Sequence, residues 1–343
     1  MARRLQGRAE RSRFAVGMWP TRLESLPRLD RRGQLIAISL VLVLLALVAG
    51  FTWLSVIAAG RHAAVSSSVV PAPALWVWNG HSYIEMERVG GGPASNQIDM
   101  AYDRGRGTLI AWDHGCVRIV MGFTGGCAER VDRTWAWDGR TWQSKAGSGP
   151  IEAGAGAMFF DGQPGEVVYI NGAGAGWAWD GDGWKRISWR GAPAVAPPGS
   201  PAAAGFAAGY DEDHQLLVFA FASRTWTFDG YAWSAHDSGI ETGELEQGGG
   251  LVNDGGGLLY VGRRSTWTWD GTRWTRHDLP RMARAGLAYD GTRVVGVGED
   301  ASIWTWSGGS WSQAVVPIRP EVRVRGVPPV AFDEATGVTL ALL

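Results

Sequence analysis

Histidine, cysteine and a recurring aspartate are the side chains of this 343-residue chain with the widest chemical reach. A metal site needs several nitrogen, sulfur or oxygen donors close together. The six histidines do not supply that pattern: His62, His81, His114, His214, His236 and His277 are scattered along the chain. His236 and His277 each stand three residues after a tryptophan and just before an aspartate. Equivalent places in a repeat belong to different modules, so both read as surface positions and not as joint ligands. Cys116 and Cys127 are the only cysteines, eleven residues apart, with His114 alone nearby. That is too few donors for zinc, and outside a reducing compartment the pair is expected to form one disulfide. No metal and no cofactor is expected.

The aspartates are Asp103, Asp161, Asp211, Asp254, Asp290 and Asp333, each closing a short apolar run such as MAYD or LAYD. Paired carboxylates can hydrolyse glycosides. Six copies at one repeat position are instead what a turn requires, because aspartate accepts hydrogen bonds from the backbone that follows it. The triple glycines at 90–92 and 248–250 lack the Lys-Ser/Thr of a phosphate loop and read as connections.

The elements that carry these residues are repeats. LWVWNGHSY, TWAWDGRTW, GWAWDGDGW, TWTFDGYAW, TWTWDGTRW and IWTWSGGSW begin at residues 75, 134, 176, 225, 266 and 303. Large residues alternate with small ones ahead of an Asn-Gly, Asp-Gly or Ser-Gly turn, which predicts a hairpin with one buried face. A two-residue turn at Asp270-Gly271 would set Trp267 opposite Trp274, and a bulged turn would shift that pairing; both remain open. Trp76, Trp135, Trp177, Trp226, Trp267 and Trp304 recur at one place and are expected to pack, not to bind sugars. After each Asp-ended run comes a second β-rich stretch: TLIAW, EVVYI, QLLVF, GLLYV, RVVGV or VTLAL. Each module therefore predicts four antiparallel strands in about 45 residues, one propeller blade.

The two ends of the repeat region are complementary. The hairpin at Leu75 has no Asp-ended pair before it, and the pair ending at Leu343 has no hairpin after it. Joined, they make a sixth blade, which leaves no open edge. The expected fold is all-β: a six-bladed β-propeller of four-stranded blades over 75–343, closed by its N- and C-terminal strands and preceded by one transmembrane helix.

The succession Ala-Tyr-Asp, apolar strand, Thr-Trp-x-Trp-Asp-Gly-x-x-Trp, as at 287–290 and 266–274, resembles the kelch repeat and bacterial galactose-oxidase-like propellers over nearly all of 75–343. The paired glycine usual in that family at the end of strand 2 is replaced by Ala111-Trp112, Asn171-Gly172, Ala220-Phe221 or Gly262-Arg263. The resemblance implies that a copper oxidase would need two joint histidines, tyrosines and a cysteine bonded to tyrosine. The scattered histidines and paired cysteines here do not match that set. Sialidase turns separate Asp from Gly by one residue, whereas Asp138-Gly139 is contiguous.

Ahead of the repeats, residues 1–33 carry nine arginines against Glu10, Glu24 and Asp30, a net of +6. The whole chain nets −1, so the rest nets −7. An acidic body argues against a nucleic-acid partner. No charge interrupts 35–60, and about 20 apolar residues span a bilayer. The reading is a basic cytoplasmic tail over 1–33, a transmembrane signal anchor over 34–60 and a Ser/Ala/Pro linker over 61–74. Arginines before the span put the N-terminus in the cytoplasm and the propeller outside it.

Long connections, 113–133, 189–203, 237–247 and 315–326, all fall between strands 2 and 3 or between blades, at one end of the repeats. Irregular loops on a rigid scaffold are where binding residues collect. The candidates are Asp113, His114, Arg118 and Arg130, with Trp189, Arg190 and Glu241. The linker enters from the same end, which brings that face toward the membrane as an expectation. The functional expectation is a membrane-anchored extracytoplasmic scaffold for a protein or cell-wall glycan. The alternative is an extracytoplasmic propeller hydrolase or oxidase.

Overall fold

The computed structural model describes residues 31–32, 39–48, 67–87, 91–120, 126–145, 149–150, 156–189, 205–221, 223–241, 243–245, 249–282, 284–321 and 326–343. Two units separate, 1–64 and 65–343. In the first, 31–32 and 39–48 are helical and exposed. Among the described residues no helix is long and apolar enough to cross a membrane. The basic tail up to residue 30 and the remainder of 34–60 lie outside the described residues.

The second unit is all-β. Its described residues form seven sheets. Sheet one takes Ile98–Asp103, Thr108–Asp113, Arg133–Trp137 and Trp142–Ser144; sheet two takes Gly156–Asp161, Glu166–Asn171, Gly176–Trp179 and Trp184–Ile187. Sheet three takes Phe206–Asp211, Leu216–Phe221, Arg224–Phe228 and Trp233–His236, with Gly249–Gly250 added in parallel to its first strand. Sheet four takes Val252–Asn253, Leu258–Val261, Ser265–Trp269 and Trp274–Asp278; sheet five takes Ala285–Tyr289, Val294–Gly298, Ile303–Ser307 and Ser310–Gln313. Sheet six takes Val330–Asp333 and Val338–Leu342, then Leu75–Trp78 and Tyr83–Glu85. Leu75 lies opposite Leu342 and Trp78 opposite Thr339. The last small sheet joins Ser67–Val69, Cys116–Val120 and Gly126–Arg130.

The larger sheets of this unit are arranged as a β-propeller. The first strand of each touches those of its neighbours in sequence, and that of sheet six touches those of five and one. Apolar side chains fill the spaces between adjacent sheets. Leu75, Val77 and Leu340 of sheet six meet Leu109, Trp135 and Trp137 of sheet one, while Val295, Val297 and Ile303 of sheet five meet Trp78 and Ala341 of sheet six. Burying a side chain of this size contributes roughly 1.5–3 kcal/mol, so these interfaces dominate stability.

The Asp-Gly turns resolve as four-residue loops. Trp269 faces Trp274, and Trp267 faces Arg276. Asp270 Oδ1 accepts from the backbone N–H of Thr272 and Arg273, and Gly271 supplies the positive φ of +89°. Asn79, Asp138, Asp180 and Asp229 accept the same pair of bonds in their own turns. This geometry sets the paired rings 5.3 Å apart at Trp269 and Trp274, and 5.4 Å apart at Trp137 and Trp142.

A threonine–tryptophan pin crosses three of the interfaces. Trp184, Trp274 and Trp311 each donate Nε1–H to the Oγ1 of Thr134, Thr225 or Thr266 on the preceding sheet, at 2.8–2.9 Å. In sheet two that threonine position is Gly176. A Cβ there would stand 2.1 Å from the ring of Trp189, which fills the space instead. Trp233 Nε1 of sheet three is consequently buried with no partner among the described residues.

Candidate functional site

In each of sheets one to six, the turns between strands 1 and 2 and between strands 3 and 4 lie at one end. At this turn end the repeated aspartates hold the first turn closed. Asp103 Oδ1 accepts from Arg106 N and its Oδ2 pairs with the Arg106 guanidinium. Asp211 takes both the backbone N–H and Nδ1 of His214, and Asp333 takes Ala335 N and Thr336 N. Asp290 accepts four bonds from Thr292 and Arg293. Asp161 accepts from Gln163 N and Asp254 from Gly256 N. Burial pushes the Asp161 carboxyl up to about 6 and raises Asp211 and Asp254 as well.

Inside the first strands is a cavity of about 1040 Å³. Ligand pockets usually measure 300–1,000 Å³, so this one has the room of a binding site. Its turn end is crossed by Arg104, which pairs with Glu212 of the sheet-three turn at 2.5 Å and with Glu334 of sheet six. Asn253 Nδ2 donates to Tyr210 O and to Glu212 Oε1. Burial works against the Arg104 charge, but bonding to Glu212 and Glu334 outweighs it and raises the guanidinium pKa. Tyr102, Phe160, Tyr210, Tyr289 and Phe332, each one residue before a repeated aspartate, form an aromatic collar beside this bridge. Arg104 stands 5.7 Å over the Phe160 ring. Burial, ahead of the charges of Asp161 and Glu212, pushes the Tyr210 hydroxyl up to about 12.

The opposite end carries the long connections. Cys116 and Cys127 form a disulfide there, with Cα atoms 5.6 Å apart, in a hairpin of Cys116–Val120 and Gly126–Arg130. Within the linker expected over 61–74, Ser67–Val69 is a strand paired to this hairpin: Ser67 faces Val120 and Val69 faces Arg118. Residues 61–66 lie outside the described residues. Beyond the strand, Val70 N bonds Val117 O, and Ala74 and Leu343 exchange backbone bonds. Residues 68–74 thus become part of the cavity wall.

The seven candidate binding residues divide by environment. Asp113 is 2% exposed and accepts from Ala94 N and Ser95 N, fixing the loop that precedes sheet one. His114 lines the cavity; its Nε2 lies 2.8 Å from Asp99 Oδ2, and its ring stacks on Trp112 at 3.9 Å. Arg118 pairs with Glu129 on the exposed hairpin, and Arg130 closes that hairpin opposite Cys116. Trp189 is half-buried between Gly176 and the edge of Trp233, 5.8 Å away. Glu241 is exposed and 3.9 Å from Arg276. Arg190 lies outside the described residues. The structure therefore gathers Arg118 and Arg130 on one hairpin, places His114 in the cavity, and leaves Trp189 and Glu241 apart. Among the described residues no three side chains of metal-binding type gather.

Sequence reasoning passed over Asp99, Arg104, Glu212 and Glu334. It also passed over Glu244, which is fully buried and whose carboxylate accepts from the backbone N–H and the Nε–H of Arg264. The adjacent Asp-Glu of 211–212 and 333–334 was the available signal for two of them.

No family model matches the chain, and no curated protein matches it. Solved structures similar to it include YCF48 bound to D1 peptide, at 14% identity and a TM-score of 0.39 over 81% of this chain and 96% of that one. YCF48 from Cyanidioschyzon merolae gives 14% identity and 0.37 over 81% and 98%. A fungal lectin of Aleuria aurantia, described as a six-bladed β-propeller with a novel fucose recognition mode, gives 13% and 0.34 over 71% and 69%. What makes this chain a propeller is its own strand order and the succession of interfaces between its sheets.

Proposed function

We propose that this is a six-bladed propeller of kelch-like type, closed by its own two ends. We further propose that segment 34–60 anchors it outside a membrane, and that its loop end binds a protein or a cell-wall glycan. Sheet six, made from the first and last strands of the repeat region, and the contacts of its first strand with sheets five and one support the closure. The uninterrupted apolar run and the arginines before it support the anchor.

One observation carries the binding reading: the outer strand of the disulfide-stapled hairpin is almost unused by the fold. Gly126–Arg130 is exposed throughout and stands at the edge of its sheet. An exposed strand edge with free backbone groups is a ready template for an added segment. The hairpin already accepts one such segment, the chain's own Ser67–Val69.

A photo-crosslinking amino acid at Ala128, in the full chain in its native membrane, tests this. One stoichiometric adduct is expected from Ala128 and none from Tyr231, which is 90% exposed at the turn end. No adduct from Ala128, or the same adduct from Tyr231, would remove the loop end as the binding face. Protease added to intact cells should cleave the propeller; full protection would reverse the proposed orientation.

A further inference from the structure

We propose that the central cavity is a binding site for a small amphipathic cation, an alkylammonium-type molecule whose apolar body lies along the channel and whose ammonium head sits at Asp99. The cavity borrows Ile119 from the inner strand of the hairpin and does not use its exposed outer strand, Gly126–Arg130, proposed above to meet a macromolecule.

The wall between the two ends is apolar. Met158, Val252, Leu287 and Phe332 all line the cavity and are partly exposed although they sit on the innermost strands. Surface that remains open at the centre of a packed body is surface that the fold itself does not cover. An apolar body placed there is held by the surface it removes from water.

The charged side chains set the class of the head. Three carboxylates, Asp99, Glu212 and Glu334, line the cavity against two guanidiniums, Arg104 and Arg284, so carboxylates outnumber guanidiniums. The partly buried walls strengthen such a field compared with open water. At the turn end, Glu212 and Glu334 are already paired with Arg104. At the loop end, Arg284 is already engaged by a partner. Asp99 is different. Its Oδ2 meets His114 Nε2, and its Oδ1 takes no bond among the described residues. The head group that completes it is a donor carrying positive charge, since a charge-assisted bond is the stronger kind. Gln97 and Ser68, exposed beside it on the cavity wall, offer further neutral oxygens.

The probes are octylammonium and octanoate, equal in chain length and opposite in head charge, titrated by calorimetry into the folded chain. Octylammonium should bind at least ten-fold more tightly than octanoate. Asp99→Asn should bring the two probes within about three-fold of each other. Met158→Trp and Leu287→Trp should each weaken octylammonium at least ten-fold by filling the channel. An unchanged melting profile identifies the filled variant that has kept the fold, and two positions guard against one failing. The proposal is overturned if octylammonium does not bind, if octanoate binds as well or better, or if a folded, filled variant binds as the parent does. None of these results depends on whether the hairpin crosslinks to a partner.

Discussion

The two ends of the propeller are built from the same strands and differ in almost every connection. At the turn end one solution recurs: an aspartate or asparagine accepts the next backbone N–H groups and glycine provides the reversal. At the loop end, buried Asp113 fixes one connection, buried Glu244 another, and a disulfide hairpin with a borrowed strand makes a third. The difference teaches where selection for folding and selection for binding can act separately. A repeated turn can be judged by what it holds closed. A connection that resembles no other, and that supports little of the core, is free to serve a partner.

The strongest way to break this division is at the joint between the two ends of the repeat region. Removing residues 327–343 takes away Val330–Asp333 and Val338–Leu342, to which Leu75–Trp78 is hydrogen-bonded. It also strips Ala331, Leu340 and Leu342 from one interface and Val330, Ala341 and Leu343 from another. The expected result is loss of cooperative folding, seen as no thermal transition in circular dichroism. A truncated chain that melts like the parent would refute closure by both ends.

Next in size is the threonine–tryptophan pin. Thr225→Val keeps the side-chain shape and deletes the acceptor of Trp274 Nε1, leaving a buried N–H without a partner. The expected loss is about 1–3 kcal/mol in urea unfolding. Trp233 already lacks that partner, so altering Gly176 to regain it would only drive a side chain into Trp189.

Much of the turn end is legible in the sequence because it is written six times. The aspartates, the ring-bearing strands and the complementary ends all follow from comparing copies. What the copies leave open is the turn itself, since Asp-Gly suits two-residue and four-residue loops alike. The bonds that Asp270 accepts from both Thr272 N and Arg273 N go with the longer one. The bridge of Arg104 to Glu212 and Glu334 is only half legible: Asp-Glu recurs at 211–212 and 333–334, but nothing in the sequence pairs either with Arg104 on a different sheet. The strand Ser67–Val69 hides in a run of Ser and Val that composition reads as a tether. Its partner at 118–120 is set by tertiary contact, and local propensity is silent on it.

Within the turn end, pH separates inner turns from outer ones. Burial pushes Asp161 from 3.8 up to about 6. The folded state then holds the proton more tightly than the unfolded chain, so this group's contribution to stability falls as pH rises from about 4 to about 6. Asp161→Asn, which keeps the oxygen that accepts from Gln163 N, should stabilise the protein above pH 6 and be neutral below pH 4. The gain is about 1–3 kcal/mol as an upper range. Asp270 reverses the sign. Despite a burial cost, the bonds from Thr272 and Arg273 bring it down to about 2. Its contribution is present above about 4 and is lost as pH falls toward 2. Matched melting curves of D161N and D270N across pH 3–8 should diverge in opposite directions, and parallel curves would show that turn position does not matter.

The smallest effect on stability should come from the most irregular element. Cys116→Ser opens the link to Cys127 in a hairpin whose second strand is exposed along its whole length. A disulfide stabilises by about 2–4 kcal/mol where the segment it closes unfolds together with the rest. Here the hairpin can open locally while the six large sheets remain packed, so the global melting temperature should move by no more than about 2 °C. Hydrogen exchange at Cys116–Val120 and at Ser67–Val69 should rise sharply in the same variant, because the borrowed strand loses its template. If exchange stays protected while the global melt drops, the hairpin is part of the folding core, and the separation between the two ends fails at the place where it was drawn most sharply.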